Sequence, residues 1–275
     1  MRLSRFVFLS FGTAAMVACG GADVTTPAVP PLASVRFINA LSDTGSVDVR
    51  AIDQVANSPV ANNLAFRAAT VYQNAAVGVR HYRVFPTSTN INVTSQVMAD
   101  VSVTFPVDAK ITLLVAGSAR AGTVGLWVIN DATTAPTSGQ IGVRMLNAAT
   151  GQVNGYITTA PADALPGSPT FSNVLALAPS AYVNQASGAT ALQVTDAGSS
   201  TVNAAAAGPP APASLPGENP AAGVTSAGSM FSAYYFPASV AGSAAPQTPA
   251  FVVPAIIWFV DRNPCDVPAV AGCTP

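Results

Sequence analysis

The stretch VRFINA, Val35 to Ala40, returns as VRMLNA, Val143 to Ala148. A repeat of this kind is read before any single element, because it sets how many times one unit is built. The echo continues outward: NLAFRAATVY (Asn63 to Tyr72) lines up with NVLALAPSAY (Asn173 to Tyr182), and Gly78 with Gly188, at shifts of 108, 110 and 110 residues. Farther on, LWVIND (Leu126 to Asp131) echoes IWFVDR (Ile257 to Arg262) at a larger shift. A Pro- and Ala-rich insertion, AAAAGPPAPASLPGENPAAG at 204–223, accounts for the difference and is expected to form no regular ladder. Two tandem copies of one domain are the simplest account.

Within a copy the pattern has period two. DVSVTFPV sets Val101, Val103 and Phe105 on one face, and KITLLVAG does the same with Ile111, Leu113 and Val115, as expected for half-buried strands. Further strands are expected at Val35 to Ala40, Val47 to Ile52, Leu64 to Thr70, Val79 to Phe85 and Val124 to Ile129, separated by Gly, Asn, Asp, Pro and Ser clusters. About seven short strands in roughly 100 residues predict an all-β chain of two tandem antiparallel immunoglobulin-like sandwiches, without the Cys-Trp-Cys core of antibody domains. FVVPAIIWFV (Phe251 to Val260) is too short for a membrane span and carries Pro254, so it reads as a buried last strand.

SVRFINALSDTGSVDV, the NLAFRAATVY middle with its following glycine, and the strand ITLLVAGS resemble the bacterial domain-of-unknown-function family 4397, often found as repeats in exported lipoproteins. The resemblance covers most of Ser34 to Asp131 and, more weakly, Gln140 to Arg262. The second copy loses acidic residues, with Gly151 in the place of Asp43 and Tyr156 in the place of Asp48. The resemblance implies a β-sandwich and an envelope location; it supplies no activity.

The start of the chain agrees with export. Arg2 and Arg5 precede an uncharged, mostly apolar run from Phe6 to Ala18, the layout of a signal peptide and too short to span a bilayer. Met16-Val17-Ala18-Cys19 resembles the bacterial lipobox, so cleavage before Cys19 and lipid on that cysteine are expected. Gly20, not Asp, follows it, which favours the outer membrane. Each buried methylene contributes about 0.8 kcal/mol, and two or three acyl chains make a lasting anchor. The expected organisation is signal peptide 1–18, flexible Gly-, Thr- and Pro-rich tether 19–33, first sandwich 34–132, linker 133–139 and second sandwich 140–275.

Composition bounds the rest. Hydrophobic residues at 50% and charged ones at 8% exclude charge-driven disorder and allow a large core. Loss of Arg2 and Arg5 leaves nine basic residues against 12 acidic ones, which offers nucleic acid no clustered cations. With Cys19 lipidated, Cys265 and Cys273 remain as an even pair in CDVPAVAGC; a disulfide closing this loop in an oxidising compartment contributes about 2.5 kcal/mol. The rival, a two-thiol metal site, lacks a nearby histidine, so no metal or cofactor is expected.

Catalytic chemistry has little to work with: His81 is the single histidine, beside Arg80 and Arg83 in GVRHYRVF, and the second copy has Ala191 in its place. Asp43, Asp48 and Asp53 are read as turn and edge groups, with calcium or a carboxylate pair as the weaker alternative. Arg36 and Arg144, shared by both copies, read as structural arginines with packed stems and paired heads, against a repeated anion contact. Asn39 and Asn147 are expected to satisfy turn backbone. Tyr72, Tyr82, Tyr182, Tyr234 and Tyr235 either form a binding face or finish the cores.

These readings predict a non-enzymatic, lipid-anchored envelope protein that acts as a surface or periplasmic binding module. Its contacts are the membrane, through Cys19, and an envelope or extracellular polymer or protein, with no nucleic acid. The alternatives are a structural spacer and, resting on His81 and the Asp cluster, a hydrolase of envelope polymer.

Overall fold

Turn-forming residues interrupt every apolar run, so the strands are short. The computed structural model describes residues 30–54, 59–132, 134–210 and 223–264, and sixteen strands lie among them. In the first copy these are β1 (Leu32–Asn39), β2 (Val47–Ala51), β3 (Pro59–Leu64), β4 (Gln73–Ala76), β5 (Gly78–Pro86), β6 (Ala99–Phe105), β7 (Lys110–Ala116) and β8 (Gly125–Asn130). They form two facing sheets, ordered β4-β1-β7-β8 and β3-β2-β5-β6. The second copy has β9 (Gln140–Asn147), β10 (Val153–Thr158), β11 (Phe171–Val174), β12 (Val183–Ala186), β13 (Ala191–Asp196), β14 (Val202–Ala207), β15 (Met230–Phe236) and β16 (Ala255–Arg262). Its sheets, β12-β9-β15-β16 and β11-β10-β13-β14, repeat the first order strand for strand. Antiparallel pairing dominates, but β1 runs parallel to β7 and β9 parallel to β15.

Each sandwich has its own core. Val35, Phe37, Ile111, Leu113 and Val115 meet Val47, Val49, Tyr82 and Val84 in the first; Val143, Met145 and Phe231 meet Val153, Leu192 and Val194 in the second. The intervening residues of the same strands are buried as well. Ile38, Leu114 and Ile129 from the first copy pack against Leu146, Tyr234 and Phe236 from the second in a third core. The two sheets that contain β1 and β9 therefore lie back to back, and the described residues from Pro31 onward form one compact unit.

This corrects the half-buried reading of KITLLVAG: β7 buries both faces, which is why its apolar run is continuous and not alternating. The 204–223 stretch also departs from expectation. Ala204 to Ala207 pair with β13, because four alanines carry their own backbone donors and the chain-breaking prolines start only at Pro209. Residues 211–222 lie outside the described residues. A second insertion adds to the large shift of the last strand: the short 117–124 connection of the first copy becomes 237–254 in the second.

Small features of the repeat have a common geometric cause. Asn63 and Asn173 both adopt φ 51, a left-handed conformation that asparagine tolerates better than most side chains. Each backbone N–H is held at 2.8 Å by a side-chain oxygen, from Asp48 in one copy and Asn154 in the other. Asn154, not Tyr156, therefore stands in the place of Asp48, because the β9–β10 turn is shorter than the β1–β2 turn.

Candidate functional site

Period two places Arg36 of β1 and Arg144 of β9 on the faces turned toward the opposite copy. There each finds the other copy's carboxylate. Arg36 Nη2 pairs with Asp261 Oδ1, and Arg144 Nη2 pairs with Asp131 Oδ1; each arginine is 3% exposed and both carboxylates are fully buried. Nη1 of each arginine donates to the carbonyl before its aspartate, Val260 at 3.0 Å and Asn130 at 2.7 Å. Nε donates to a hydroxyl on the neighbouring strand of its own copy, Thr112 at 2.7 Å and Ser232 at 2.6 Å. Thr112 donates onward to Asp131 at 2.6 Å, Ser232 to Asp261. Tyr72 and Tyr182 complete the pattern, each donating its hydroxyl at 2.7 Å, to Asp131 and Asp261 respectively. Their rings cover the guanidinium groups of Arg36 at 4.7 Å and Arg144 at 4.6 Å.

Two buried ion pairs thus cross between the copies with matching partners. Burial alone would lower the pKa of Arg36, but Asp261, Tyr72 and Asp131 outweigh it and raise it; Arg144 is raised in the same way by Asp261, Tyr182 and Asp131. Burial, then the neighbouring Asp261, push Asp131 above the ordinary carboxylate range against the pull of Arg36, Arg144 and Thr112. Such opposition is characteristic of desolvated ion pairs, which hold where further hydrogen bonds support both partners. The arginines are structural, with packed stems and paired heads, as their place in the repeat indicates. Their aspartate partners escaped sequence reading because LWVIND and IWFVDR match by eye one residue out of structural register. Thr112 pairs with Ile129, and its counterpart Ser232 with Phe259, so Asp261 falls in the place of Asp131 and the two tryptophans do not correspond. A one-residue slip turns a side chain to the other face. Trp127 packs in the shared core, and Trp258 against the second sandwich.

The other expected residues separate. Asn39 and Asn147 sit at equivalent turns: their Oδ1 atoms accept from Leu41 and Ala149, and their Nδ2 groups donate to the carbonyls of Leu64 and Val174. Asp43 accepts from the Ser118 hydroxyl at 2.6 Å and from the amides of Ala119 and Arg120 at 3.0 Å each. Its own burial opposes these bonds, yet they hold its carboxyl below the usual range. Asp48 serves Asn63 and Thr87, and Asp53 pairs with Arg80 at 2.9 Å, so the three aspartates are not gathered into one carboxylate or calcium site. His81 lies half exposed on β5, opposite Ser102, and contacts Asp100, which also takes Arg83 Nε at 2.8 Å. Those two hydrogen bonds, His81 first, lower the Asp100 pKa.

The tyrosines form no exposed face. Tyr82 lies edge-on to Phe37 and Phe105, and burial, then Asp53, push its hydroxyl up to about 12. Tyr234 is fully buried in the shared core and Tyr235 lies in the second one. Cys19, Cys265 and Cys273 lie outside the described residues.

Clefts of similar size lie beside Asp131 and Tyr182 and beside Phe171 and Pro179, and a cleft of about 430 Å³ lies where the two copies meet just past β1 and β9. Its floor holds the residues just past β1 and β9, Ala40 and Ala148, both buried. One wall comes from 237–254, which reaches across to the first copy. Val240 donates its N–H to the Ser42 carbonyl at 2.8 Å, and Arg120 Nη2 donates to the Gly242 carbonyl at 2.6 Å. Arg67, 6% exposed, donates to the carbonyls of Pro237, Ala250 and Val253 at 2.6 to 2.8 Å, and its guanidinium lies between Phe66 and Phe251. This strap had no signal in the repeat, since it exists in one copy alone.

The cleft and the chain's entry point are at opposite ends. β1 begins at Leu32 and runs toward Ala40, a rise of about 26 Å over its eight residues. β9 runs the same way toward Ala148, while β8 and β16, antiparallel to their neighbours, end at the entry pole.

No curated protein matches the chain. Residues 33–156, which span nearly all of the first sandwich, β9 with Arg144, and the start of β10, match the family model described as "Domain of unknown function (DUF4397)", and this match supports the family resemblance carried by the opening motif.

Proposed function

We propose that the chain is a lipid-anchored cell-envelope protein, held at the outer membrane through Cys19, that works as a rigid, non-enzymatic binding or interaction module. The observation that carries this reading is the cleft that the two copies build together. The chain enters at one end, and an accessible cleft built from both copies lies at the other. A tether of Gly, Thr and Pro ahead of Leu32 suits such a body, because it lets the far pole meet a partner at some distance from the anchor. The buried charges of the shared core are spent on joining the copies, and a rigid body loses little conformational entropy on binding. The partner class is an envelope or extracellular polymer or protein, and a Cys265–Cys273 disulfide fits the same oxidising compartment.

Two steps test the reading. Cys19→Ala should release the protein from membranes; a variant that stays membrane-bound and cleaved normally would contradict lipid anchoring. Protease shaving of intact cells, following an epitope placed within 211–222 beside a periplasmic control, then separates the two orientations. Loss of the epitope puts the partner outside the cell, and protection puts it in the periplasm. A hydrolase would instead lose turnover in His81→Ala at unchanged thermal stability.

A further inference from the structure

We propose that the cleft between the copies binds a single molecule of a neutral amphiphile, with an aliphatic body and an uncharged, hydroxyl-bearing head. This deepens the binding-module reading and rests on it. The argument starts from the lining, which holds no charged and no aromatic side chain. Its volume of about 430 Å³ falls within the range of small-molecule sites.

The lining is graded. Ala40 and Ala148 at the floor are buried, Leu177 and Pro237 are partly buried on the walls beside Ser42 and Ser118, and Thr123, Thr150 and Val240 are exposed at the mouth. Apolar atoms at depth favour an aliphatic body, whose burial contributes about 25 cal/mol per Å². Hydroxyls at the mouth both donate and accept, so they match a polyol or glyceryl head. A carboxylate or phosphate head would find no cationic side chain in the lining, whereas a hydroxyl head finds donors and acceptors at the threonines. The charged groups on the bordering loops are engaged elsewhere: Asp43 by the 118–120 turn, Arg120 by the Gly242 carbonyl, Arg67 by the carbonyls of the strap.

The strap makes the site depend on both copies. Pro237 and Val240 stand against Ser42 and Ser118 of the first copy and Thr150 of the second, so neither sandwich alone encloses the cleft. Its position at the pole away from Leu32 would present it to a molecule delivered from outside the anchoring membrane.

The test uses the chain from residue 20 on, which keeps the whole compact unit and omits the leader and the lipidated cysteine. 1-Monooctanoylglycerol, below its micelle-forming concentration, is titrated calorimetrically. Saturable binding of one molecule per chain is expected, with octanoate at least tenfold weaker. Ala238→Trp and Thr150→Trp, which fill the wall and the mouth from partly or fully exposed positions, should each weaken binding tenfold or more with an unchanged melting temperature. No saturable binding, equal binding of octanoate, or binding indifferent to both tryptophans would overturn the proposal. Failure here leaves the anchoring experiments unaffected, so the two readings fail separately.

Discussion

The two copies are alike where they touch and unlike at the cleft pole. At the junction, Arg36, Thr112, Tyr72 and Asp131 have one-for-one counterparts in Arg144, Ser232, Tyr182 and Asp261. At the pole, a tight turn closed by Asp43 in the first copy faces the long strap 237–254 of the second. The junction is symmetric because each copy must satisfy the other's buried charge. The cleft is asymmetric because a single site needs only one strap. The repeat thus provides the joint, and its departures provide the candidate binding surface.

Breaking the symmetric half should have the largest effect. Asp131→Ala removes the hydrogen-bonded carboxylate of Arg144, leaving only Asp261 at 3.9 Å, and should cost about 3–5 kcal/mol in urea unfolding. Replacing the whole pair with Arg144→Met and Asp131→Leu should recover most of that loss, since the cost lies in the orphaned charge more than in the missing attraction. A double variant no more stable than Asp131→Ala would show that the pair itself is the main contributor.

The strap is next. Arg67→Met removes a guanidinium that holds three close backbone carbonyls and should cost about 2 kcal/mol. Hydrogen exchange should quicken at Ser239 and Phe251, whose amides are bonded within the strap, while β5 and β13 keep their protection. Uniform loss of protection would mean that the strap is part of the global core and not an added wall.

Asp43→Asn should cost about 1 kcal/mol at neutral pH, by weakening three hydrogen bonds of the 118–120 turn. The folded Asp43 pKa lies below its ordinary 3.8, so its stabilisation is complete above that value and is lost as pH falls through the lowered folded one. The stability gap between the parent and Asp43→Asn should therefore close in acid; a constant gap would show that its charge is immaterial. The smallest effect is expected for His81→Ala, whose half-exposed side chain should leave the melting temperature unchanged.

How much of this could be read from the sequence follows from the range of each interaction. Period-two strands, the doubled Arg36 and Arg144, and the Asn39 and Asn147 turns are local or lie at matching places in the repeat, and they were legible. Burial of β7 and β15 on both faces was only half legible, since a continuous apolar run states that a strand is buried without stating against what. The tyrosines were ambiguous for the same reason. Asp131 and Asp261 were hidden by the pull of matching Trp127 to Trp258, which shifts the last strand by one residue and hides the aspartate pair. The cleft was not legible at all, because it is made of alanines, hydroxyls and a few aliphatic residues from loops far apart in the chain.

The central claim is that crossed ion pairs and a shared core make one cooperative body out of two sandwiches. Scanning calorimetry of the chain from residue 20 on tests it most directly. The account predicts a single transition whose calorimetric and van't Hoff enthalpies agree. Two resolved transitions, or a van't Hoff enthalpy near half the calorimetric one, would mean that the copies unfold independently and would contradict it.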